Sequence, residues 1–230
     1  MAQPVTGISS MATRRVLTEL AQRYEKATGG LAAIEAVGGV DAAKRVRAGE
    51  RFDIVALAAD VMAKLDAEGF LVAGTTAGFV RSAMALAVRS GAPAPDIGDA
   101  EAVKAALLAA RSVGYSTGPS GTHLLEVMKG WGVDPAGGAP RLVQAKPGVP
   151  VAALVARDEA EIGVQQLSEF LDEPGIAIVG LVPPPVQSVT TFSIGVGARS
   201  ARVEEALALI AFLNAPETAE PKRRFGMEPA

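Results

Sequence analysis

The sequence predicts an α/β protein, and three observations lead to that class. Strand-like apolar runs alternate with helix-like periodic segments along most of the 230 residues. Hydrophobic residues make up 49% of the chain, which is enough for a substantial buried core. Loops that follow strands repeatedly carry serine or glycine where the next helix begins. A chain of this length suits one large domain or two small ones.

The first half of the chain carries the clearest alternation of strand and helix patterns. Apolar residues recur at helical spacing over residues 13–26, and Thr28-Gly29-Gly30 ends that helix. The run FDIVALA has the length and apolar content of a buried strand. The predicted elements are, in order, a strand at 5–8, a helix at 13–26, a strand at 33–37, a helix at 41–47, a strand at 52–58, a helix at 60–68, a longer strand that ends at Ala87, and a helix at 100–110.

The second half continues the alternation to the last helix. Pro183-Pro184-Pro185 is a stiff break between two strands. The charged run PKRRFGM near the end predicts a solvated terminus. The predicted elements are a strand at 112–116, a loop and helix within 118–132, a helix at 149–157, strands at 161–166, 175–182 and 189–198, and a closing helix at 203–213.

Composition excludes several classes of function. A net charge of −3 argues against nucleic acid as a partner, because binding to phosphate backbones needs a concentrated basic surface. The absence of cysteine excludes disulfides and thiolate metal sites, and a single histidine, His123, argues against a zinc centre. We therefore expect no cofactor and no metal.

Membrane insertion is not expected, because no apolar run reaches the roughly 18 residues of a spanning helix. The opening MAQPVTG has no basic segment followed by an apolar one, so the chain as written predicts a cytoplasmic protein. A leader removed before this methionine would instead make it periplasmic.

Three loops open helices directly after predicted strands, and together they suggest an anion site. They are Ser9-Ser10, Gly38-Gly39-Val40 and Gly118-Pro119-Ser120-Gly121-Thr122. In open α/β sheets, ligands bind beyond the carboxyl ends of the strands, where helix N-termini present free N–H groups. Each loop alone is also ordinary capping chemistry, and only their recurrence favours a site. We expect Ser9 and Ser10 to cap the first helix and to bind an anion with the same groups.

Three familiar catalytic or nucleotide-binding motifs are incomplete in this sequence. Ser120 and His123 lie three residues apart, but GPSG is not the G-x-S-x-G turn that exposes a serine nucleophile. GYSTGPSGT lacks the lysine of a P-loop, and GVGARS lacks the third glycine of a dinucleotide fingerprint. Hydrolase, nucleotide and dinucleotide functions are therefore disfavoured.

Several segments resemble a known family in order and spacing. They are GISSMATRRVLTELAQRYEKATG, VGGVDAAKRVRAGERFDIVALAADVMAKLDAEGFL, YSTGPSGTHLLEVMKGWGV, ARDEAEIGVQQLSEF and LALIAFLNAPETAEPKRRFGM. They are similar to the type II periplasmic solute-binding proteins, and to the molybdate-binding branch in particular. The resemblance implies a two-lobed, Venus-flytrap fold, in which each lobe is a mostly parallel sheet flanked by helices and the chain makes two hinge crossings. It implies lobe one at 1–80 with 187–230, lobe two at 81–186, and an anion in the cleft.

The same resemblance implies the ligand-binding positions. The family's first serines fall on Ser9 and Ser10, and its second serine falls on the Gly38-Gly39-Val40 turn. Its Ala-Gly pair falls on Ser120-Gly121, and its oxyanion-binding tyrosine falls on Gln166. Loss of these two hydroxyls argues against molybdate, because donor geometry selects a tetrahedral oxyanion. Further donors in this mixed set are Thr122, His123, Gln165 and Ser168.

An organic anion with separated carboxylates fits this donor set better than molybdate. Arg81, at the predicted start of lobe two, is either a bidentate carboxylate clamp or a surface cation at a strand end. The main functional prediction is a binding protein for a small anion, with the membrane subunits of an ABC importer as partners if the chain is exported.

The alternative is a cofactor-independent isomerase. GVQQLSEF and AVRSGAPAPDI resemble the subgroup of the family that includes aconitate isomerase. Moving a proton within an unsaturated polycarboxylate needs a base, and His123 is the candidate base. Tyr115 and Glu169 are the weaker candidates. A histidine at a helix start is also ordinary as a solvated or capping residue.

Overall fold

The computed structural model describes residues 3–134, 137–146 and 148–230. The chain forms two compact units. Unit 1 comprises Met1–Ser82 and Thr190–Ala230, and unit 2 comprises Ala83–Val189. The chain enters unit 2 within strand β4 (Ala77–Arg89) and leaves it at the start of strand β9 (Val189–Val196). We call residues 82–84 and 186–190, which flank these two points, the crossing segments.

Unit 1 is built on a sheet whose first three strands are parallel. Their spatial order is β2 (Ala32–Val37), β1 (Val5–Ser10) and β3 (Ile54–Ala58), with β9 antiparallel beside β3. Strand β10 (Met227–Pro229) pairs antiparallel with the first part of β4. Since β1, β2 and β3 run the same way, the helices that follow them all begin at one edge of the sheet.

Helices cover this sheet and complete two apolar clusters. One cluster packs Leu17 and Leu20 with Leu209 and Leu213, and the other contains Val46 and Met62. All six side chains are buried. The helices are α1 (Arg14–Thr28), α2 (Gly39–Arg47), α3 (Ala59–Ala67), α8 (Val203–Leu213) and α9 (Ala219–Arg224), with 3₁₀ turns at Met11–Thr13 and Pro216–Thr218.

Unit 2 has a mixed sheet of its own. Its strands are, in spatial order, β6 (Arg141–Gln144), β5 (Ser112–Tyr115), β7 (Ile162–Gln166), the second part of β4, and β8 (Ile176–Leu181). Strand β5 is parallel to β6 and β7, whereas β4 is antiparallel to β7 and β8. The helices are α4 (Ala100–Ala109), α5 (Pro119–Gly130), α6 (Val151–Ala156) and α7 (Leu167–Phe170).

The α/β prediction is confirmed, and the differences concern short or terminal elements. Strands β6 and β10, helices α7 and α9, and the 3₁₀ turns were not predicted, because each is too short to show a period. The predicted solvation of the charged run is confirmed for Arg223 and Arg224, which are exposed, but is wrong for Lys222 and Met227, which are each only 2% exposed. None of the helices in the described ranges is long and apolar enough to cross a membrane.

Candidate functional site

In unit 1, two of the predicted loops meet at the carboxyl edge of the parallel strands. Ser10 ends β1 and is in register with Val37, which ends β2. Gly39 begins α2 two residues later, and a Cβ placed on it would lie 3.8 Å from the Ser10 Cβ. The Ser10 side chain and the free N–H groups of the first turn of α2 therefore share one small region. Val40, in that turn, is 49% exposed.

The two serines do not cap the first helix with their side chains, and that expectation was wrong. Ser10 occupies the N-cap position of the 3₁₀ turn Met11–Thr13 without a capping bond from its hydroxyl, which lies 3.4 Å from Thr13 Oγ1. Thr13 in turn donates to the Ser10 carbonyl at 3.2 Å. Ser9 is fully buried and donates to the Glu35 carbonyl at 3.3 Å, which joins β1 to β2.

A third helix, α3, begins at the same edge; the sequence analysis predicted this helix but did not count its start among the candidate loops. Ala58 ends β3 and precedes the first turn of α3, which offers backbone N–H groups, but neither Ala58 nor Ala59 carries a polar side chain. Motif reasoning looks for serine or glycine and passes over Ala58-Ala59. Asp41 and Asp60 lie in the first turns of α2 and α3, where a carboxylate is stabilised by the helix dipole.

Asp53, at the start of the β3 segment, is structural. Its carboxylate accepts hydrogen bonds from the Thr6 amide at 2.8 Å, the Thr6 hydroxyl at 3.0 Å and the Ser200 hydroxyl at 2.7 Å. Burial alone would raise the pKa of Asp53, but the bonds from Ser200 and Thr6 outweigh burial and hold the pKa below its ordinary value. Asp53 therefore fixes the N-terminal strand in the sheet.

Arg81 belongs to unit 1, not to the second unit as its predicted position implied. It lies in β4, opposite Glu228 of β10, and its side chain is exposed. Its Nη2 donates to the Pro229 carbonyl at 3.2 Å. With this bond, Arg81 is a surface cation that helps to hold β10 in place. Its role as a bidentate clamp for a ligand carboxylate stays a prediction.

In unit 2, helices α5 and α7 begin at the carboxyl ends of the parallel strands β5 and β7. Ser120 and Gly121 lie in the first turn of α5 and are both buried. A Cβ on Gly121 would come within 1.7 Å of the Ser116 carbonyl oxygen, so only glycine fits there. Thr122 is exposed, and its amide donates to the Gly118 carbonyl at 3.1 Å.

His123 makes a specific contact within unit 2. Its Nε2 lies 3.0 Å from the carbonyl oxygen of Val186. Because a carbonyl oxygen can only accept, Nε2 carries the proton, and a neutral ring keeps its lone pair on Nδ1. As a base, His123 would have to act through Nδ1.

The glutamine pair at the end of β7 is buried, and Gln165 serves the scaffold. Its Oε1 accepts from the amide of Val151 at 3.2 Å, at the first residue of α6, and its Nε2 donates to Glu169. Gln166 is 1% exposed and occupies the N-cap position of α7. Ser168 is 4% exposed within that helix. Gln166 and Ser168 therefore lie at the predicted edge, beside the half-buried Glu169.

Gln187 is a polar contact that sequence reasoning missed. Its Oε1 accepts from the Met84 amide at 2.7 Å, and its Nε2 donates to the carbonyls of Met84 at 3.0 Å and Val182 at 2.6 Å. The side chain thus pairs with Met84 as a neighbouring strand would. No local signal marks it, because Met84 is 103 positions away.

The geometry provides neutral donors at two edges. These are backbone N–H groups at helix starts, the Ser10 hydroxyl in unit 1, and the first turn of α5 in unit 2. Within the described ranges, no three or more histidine, aspartate or glutamate side chains are grouped as metal ligands. Such edges suit hydrogen bonding to an anionic ligand.

Comparison with known proteins identifies the family. The model of the bacterial extracellular solute-binding protein family matches residues 5–228. A relative named aconitate isomerase, from a Pseudomonas species, is 35% identical over 245 aligned positions, covering 99% of this chain and 90% of the relative.

Solved structures confirm the type II periplasmic-binding-protein fold. The periplasmic molybdate-binding protein of Azotobacter vinelandii is 16% identical with a TM-score of 0.76, over 98% of this chain and 99% of that one. The tungstate ABC transporter protein of Geobacter sulfurreducens is 21% identical with a TM-score of 0.72, over 96% and 98% of the two chains. The resemblance predicted from the sequence is confirmed, and the chain belongs to the bacterial extracellular solute-binding protein family.

Proposed function

We propose that this protein binds a small anion through the helix N-termini at the carboxyl edges of its parallel strands. The observation that carries the proposal is the meeting of Ser10 with the first turn of α2. A hydroxyl that lies beside the N–H groups of a helix start favours a carboxylate or an oxyanion without any fixed cation.

An organic carboxylate is the ligand class that we favour. Val40 exposes about half of its apolar side chain in the turn that begins with Gly39. An isopropyl group offers nothing to a bare tetrahedral oxyanion, whereas it can contact the carbon skeleton of an organic acid. The 35% identity to aconitate isomerase supports the same class.

A second candidate function is isomerisation of an unsaturated polycarboxylate, and the extent of that identity favours it. In such an allylic isomerisation a proton leaves one carbon and returns to another carbon of the same molecule, so no cofactor and no net proton are needed. Two groups could carry the proton: Nδ1 of His123, and the carboxylate of Glu169, which Gln165 holds. If the protein is instead an exported receptor, its partners are importer subunits in the membrane.

A thermal-shift screen followed by a conversion assay tests both functions. A ligand that binds only the folded state raises the melting temperature, by an amount that grows with its concentration over Kd. We expect trans-aconitate, cis-aconitate or citrate to exceed molybdate, tungstate and sulfate. The largest shift with molybdate or tungstate would contradict the organic ligand class, and no shift with any anion would overturn anion binding.

The conversion assay uses the same protein and the two aconitate isomers. Appearance of one isomer from the other, followed by chromatography, identifies an enzyme. Binding without conversion identifies a receptor. A Glu169→Gln variant that binds but does not convert would assign the base to Glu169.

A further inference from the structure

The N-terminal part of α5 is connected to one crossing segment by a His123 hydrogen bond, and through Gln187 to the other. His123 Nε2 donates to the carbonyl of Val186 at 3.0 Å. The next residue, Gln187, holds Met84 through two bonds, one to its amide and one to its carbonyl. All four residues belong to unit 2.

The positions of these residues in the chain are what make the connection informative. Met84 is the second residue of unit 2, and Gln187 lies two residues before its last, Val189. The side-chain amide of Gln187 therefore links the segment that enters unit 2 to the segment that leaves it. Val182 strengthens the tie, since its amide donates to the Met84 carbonyl at 3.0 Å and its own carbonyl accepts from Gln187.

The segment between these contacts is stiff enough to transmit a displacement. Val186 is 5% exposed and packs in the same apolar cluster as Leu124 of α5. The backbone N–H of Gln187 donates to the Pro183 carbonyl at 3.0 Å and closes a turn through three prolines. Proline fixes its own φ, so this turn has few alternative conformations.

We propose that His123 and Gln187 form a relay that couples the first turn of α5 to the two crossing segments, and that His123 is a positioning residue. An anion held at that turn shifts α5, His123 carries the shift to Val186, and Gln187 carries it to Met84. The binding part of this inference rests on the proposed function.

Hydrogen–deuterium exchange of the ligand-free protein tests the relay without any ligand. The variants are His123→Asn, which removes the donor at the Nε2 position, and Gln187→Leu, which removes the amide. We expect each to speed exchange over residues 121–126 about tenfold, the effect of losing one net hydrogen bond. Ser188→Ala and Glu126→Gln are the matched controls, next to Gln187 and on α5, and should leave exchange unchanged.

The decisive variant for the relay is Gln187→Leu, because Gln187 itself does not contact α5 in the bonds described above. If exchange in the Gln187→Leu variant becomes faster only around Met84 and Val182, the relay is overturned and Gln187 stabilises only its immediate surroundings. If exchange also rises in the first turn of α5, the coupling exists.

His123→Gln separates positioning from proton transfer. Glutamine keeps an N–H donor near the Nε2 position but cannot take up a proton at neutral pH. A positioning role predicts that His123→Gln restores exchange protection, trans-aconitate affinity and any turnover, while His123→Asn loses them together. Loss of turnover in both variants with unchanged affinity would overturn the assignment and make His123 the base.

A double-mutant cycle on trans-aconitate binding completes the test. We expect His123→Asn and Gln187→Leu each to weaken binding about tenfold, and the double variant to be little weaker than either, because they interrupt one chain of contacts. Fully additive losses would contradict the relay. If the wild-type protein binds no anion, the proposed function fails, and the exchange experiment still decides the relay.

Discussion

The two units carry the same strand-to-helix edge and use its polar side chains differently. In unit 1, the Ser10 hydroxyl contacts the rotatable hydroxyl of Thr13 at 3.4 Å, and Ser10 lies beside the first turn of α2. In unit 2, the side chains of His123 and Gln165 are held by Val186 and Val151. A position at the carboxyl edge therefore identifies where a ligand can bind, while the hydrogen-bond partner shows whether a side chain serves the ligand or the scaffold.

The largest expected effect comes from filling the tight turn of unit 2. Gly121→Ala would place a methyl group 1.7 Å from the Ser116 carbonyl oxygen, so the turn must move. We expect the free energy of unfolding of unit 2 to fall by about 3 kcal/mol. Urea unfolding followed by fluorescence of Trp131, the sole tryptophan and a residue of unit 2, measures the loss.

Gly130→Ala is the matched control on the same helix. A Cβ there meets no atom within 4 Å, so alanine should stabilise by about 0.5–1 kcal/mol through helix propensity. Equal stability of the Gly121→Ala and wild-type proteins would show that the α5 turn is not constrained as described.

Asp53→Asn is the next largest change and acts on unit 1. Asparagine keeps the shape of the side chain but loses the charge that accepts three hydrogen bonds from Thr6 and Ser200. We expect a loss of about 2 kcal/mol in the free energy of unfolding near pH 7. Urea unfolding followed by far-ultraviolet circular dichroism reports this loss.

The pH dependence of this contribution has a defined sign. Because the pKa of Asp53 is held below its ordinary 3.8, its contribution is complete above that pH and disappears as the pH falls through the folded-state value. The difference between wild type and Asp53→Asn should therefore shrink in acid. A difference that stays constant down to pH 2 would contradict the assignment.

Lys222 gives a smaller effect of the same sign, but at alkaline pH. It is 2% exposed, with Nζ 4.5 Å from the Phe79 ring centroid and 3.4 Å from Asn214 Oδ1, and burial lowers its pKa to about 8. Between this value and the ordinary 10.5, the unfolded chain binds more protons, so stability rises with pH.

The Lys222→Met variant isolates this contribution. Methionine keeps the apolar stem and removes the charge, so the rise of roughly 1–2 kcal/mol between pH 7 and 10 should disappear. The measurement is the free energy of unfolding at several pH values for both proteins. If the free energy of unfolding of the variant rose with pH as steeply as that of wild type, Lys222 would not be the source of the rise.

The two serine variants are expected to have the smallest effects on stability. Ser9→Ala removes the bond to the Glu35 carbonyl and should cost about 1 kcal/mol, whereas Ser10→Ala should cost less than about 0.5 kcal/mol. Thermal unfolding of the two variants measures both costs. A larger loss for Ser10→Ala than for Ser9→Ala would reverse the roles that the structure gives them.

The alternation of strands and helices was predictable because it is written in local patterns. The helix at 13–26 and the strand at 52–58 appear as α1 and β3 with small shifts at their ends. The buried position of Lys222 was not predictable, since a run of charges looks solvated until α9 is packed over Phe79.

In the candidate site, too, the features set by local sequence were predictable and those set by long-range contacts were not. Serine and glycine after strands pointed to the edge formed by Ser10 and Gly39, because both loops follow from local turn chemistry. Val186, the partner of His123, and Met84, one partner of Gln187, lie 63 and 103 positions away from them along the chain. Such long-range contacts decide whether a polar residue binds ligand or scaffold, and a single sequence does not record them.

The most direct test of anion binding at the unit 1 edge is a calorimetric titration of trans-aconitate into wild type and Ser10→Ala. We predict that Ser10→Ala binds about tenfold more weakly while its melting temperature without ligand is unchanged. Equal affinity of the two proteins, in a titration where the wild type binds, would contradict the central claim that Ser10 and the start of α2 hold the anion.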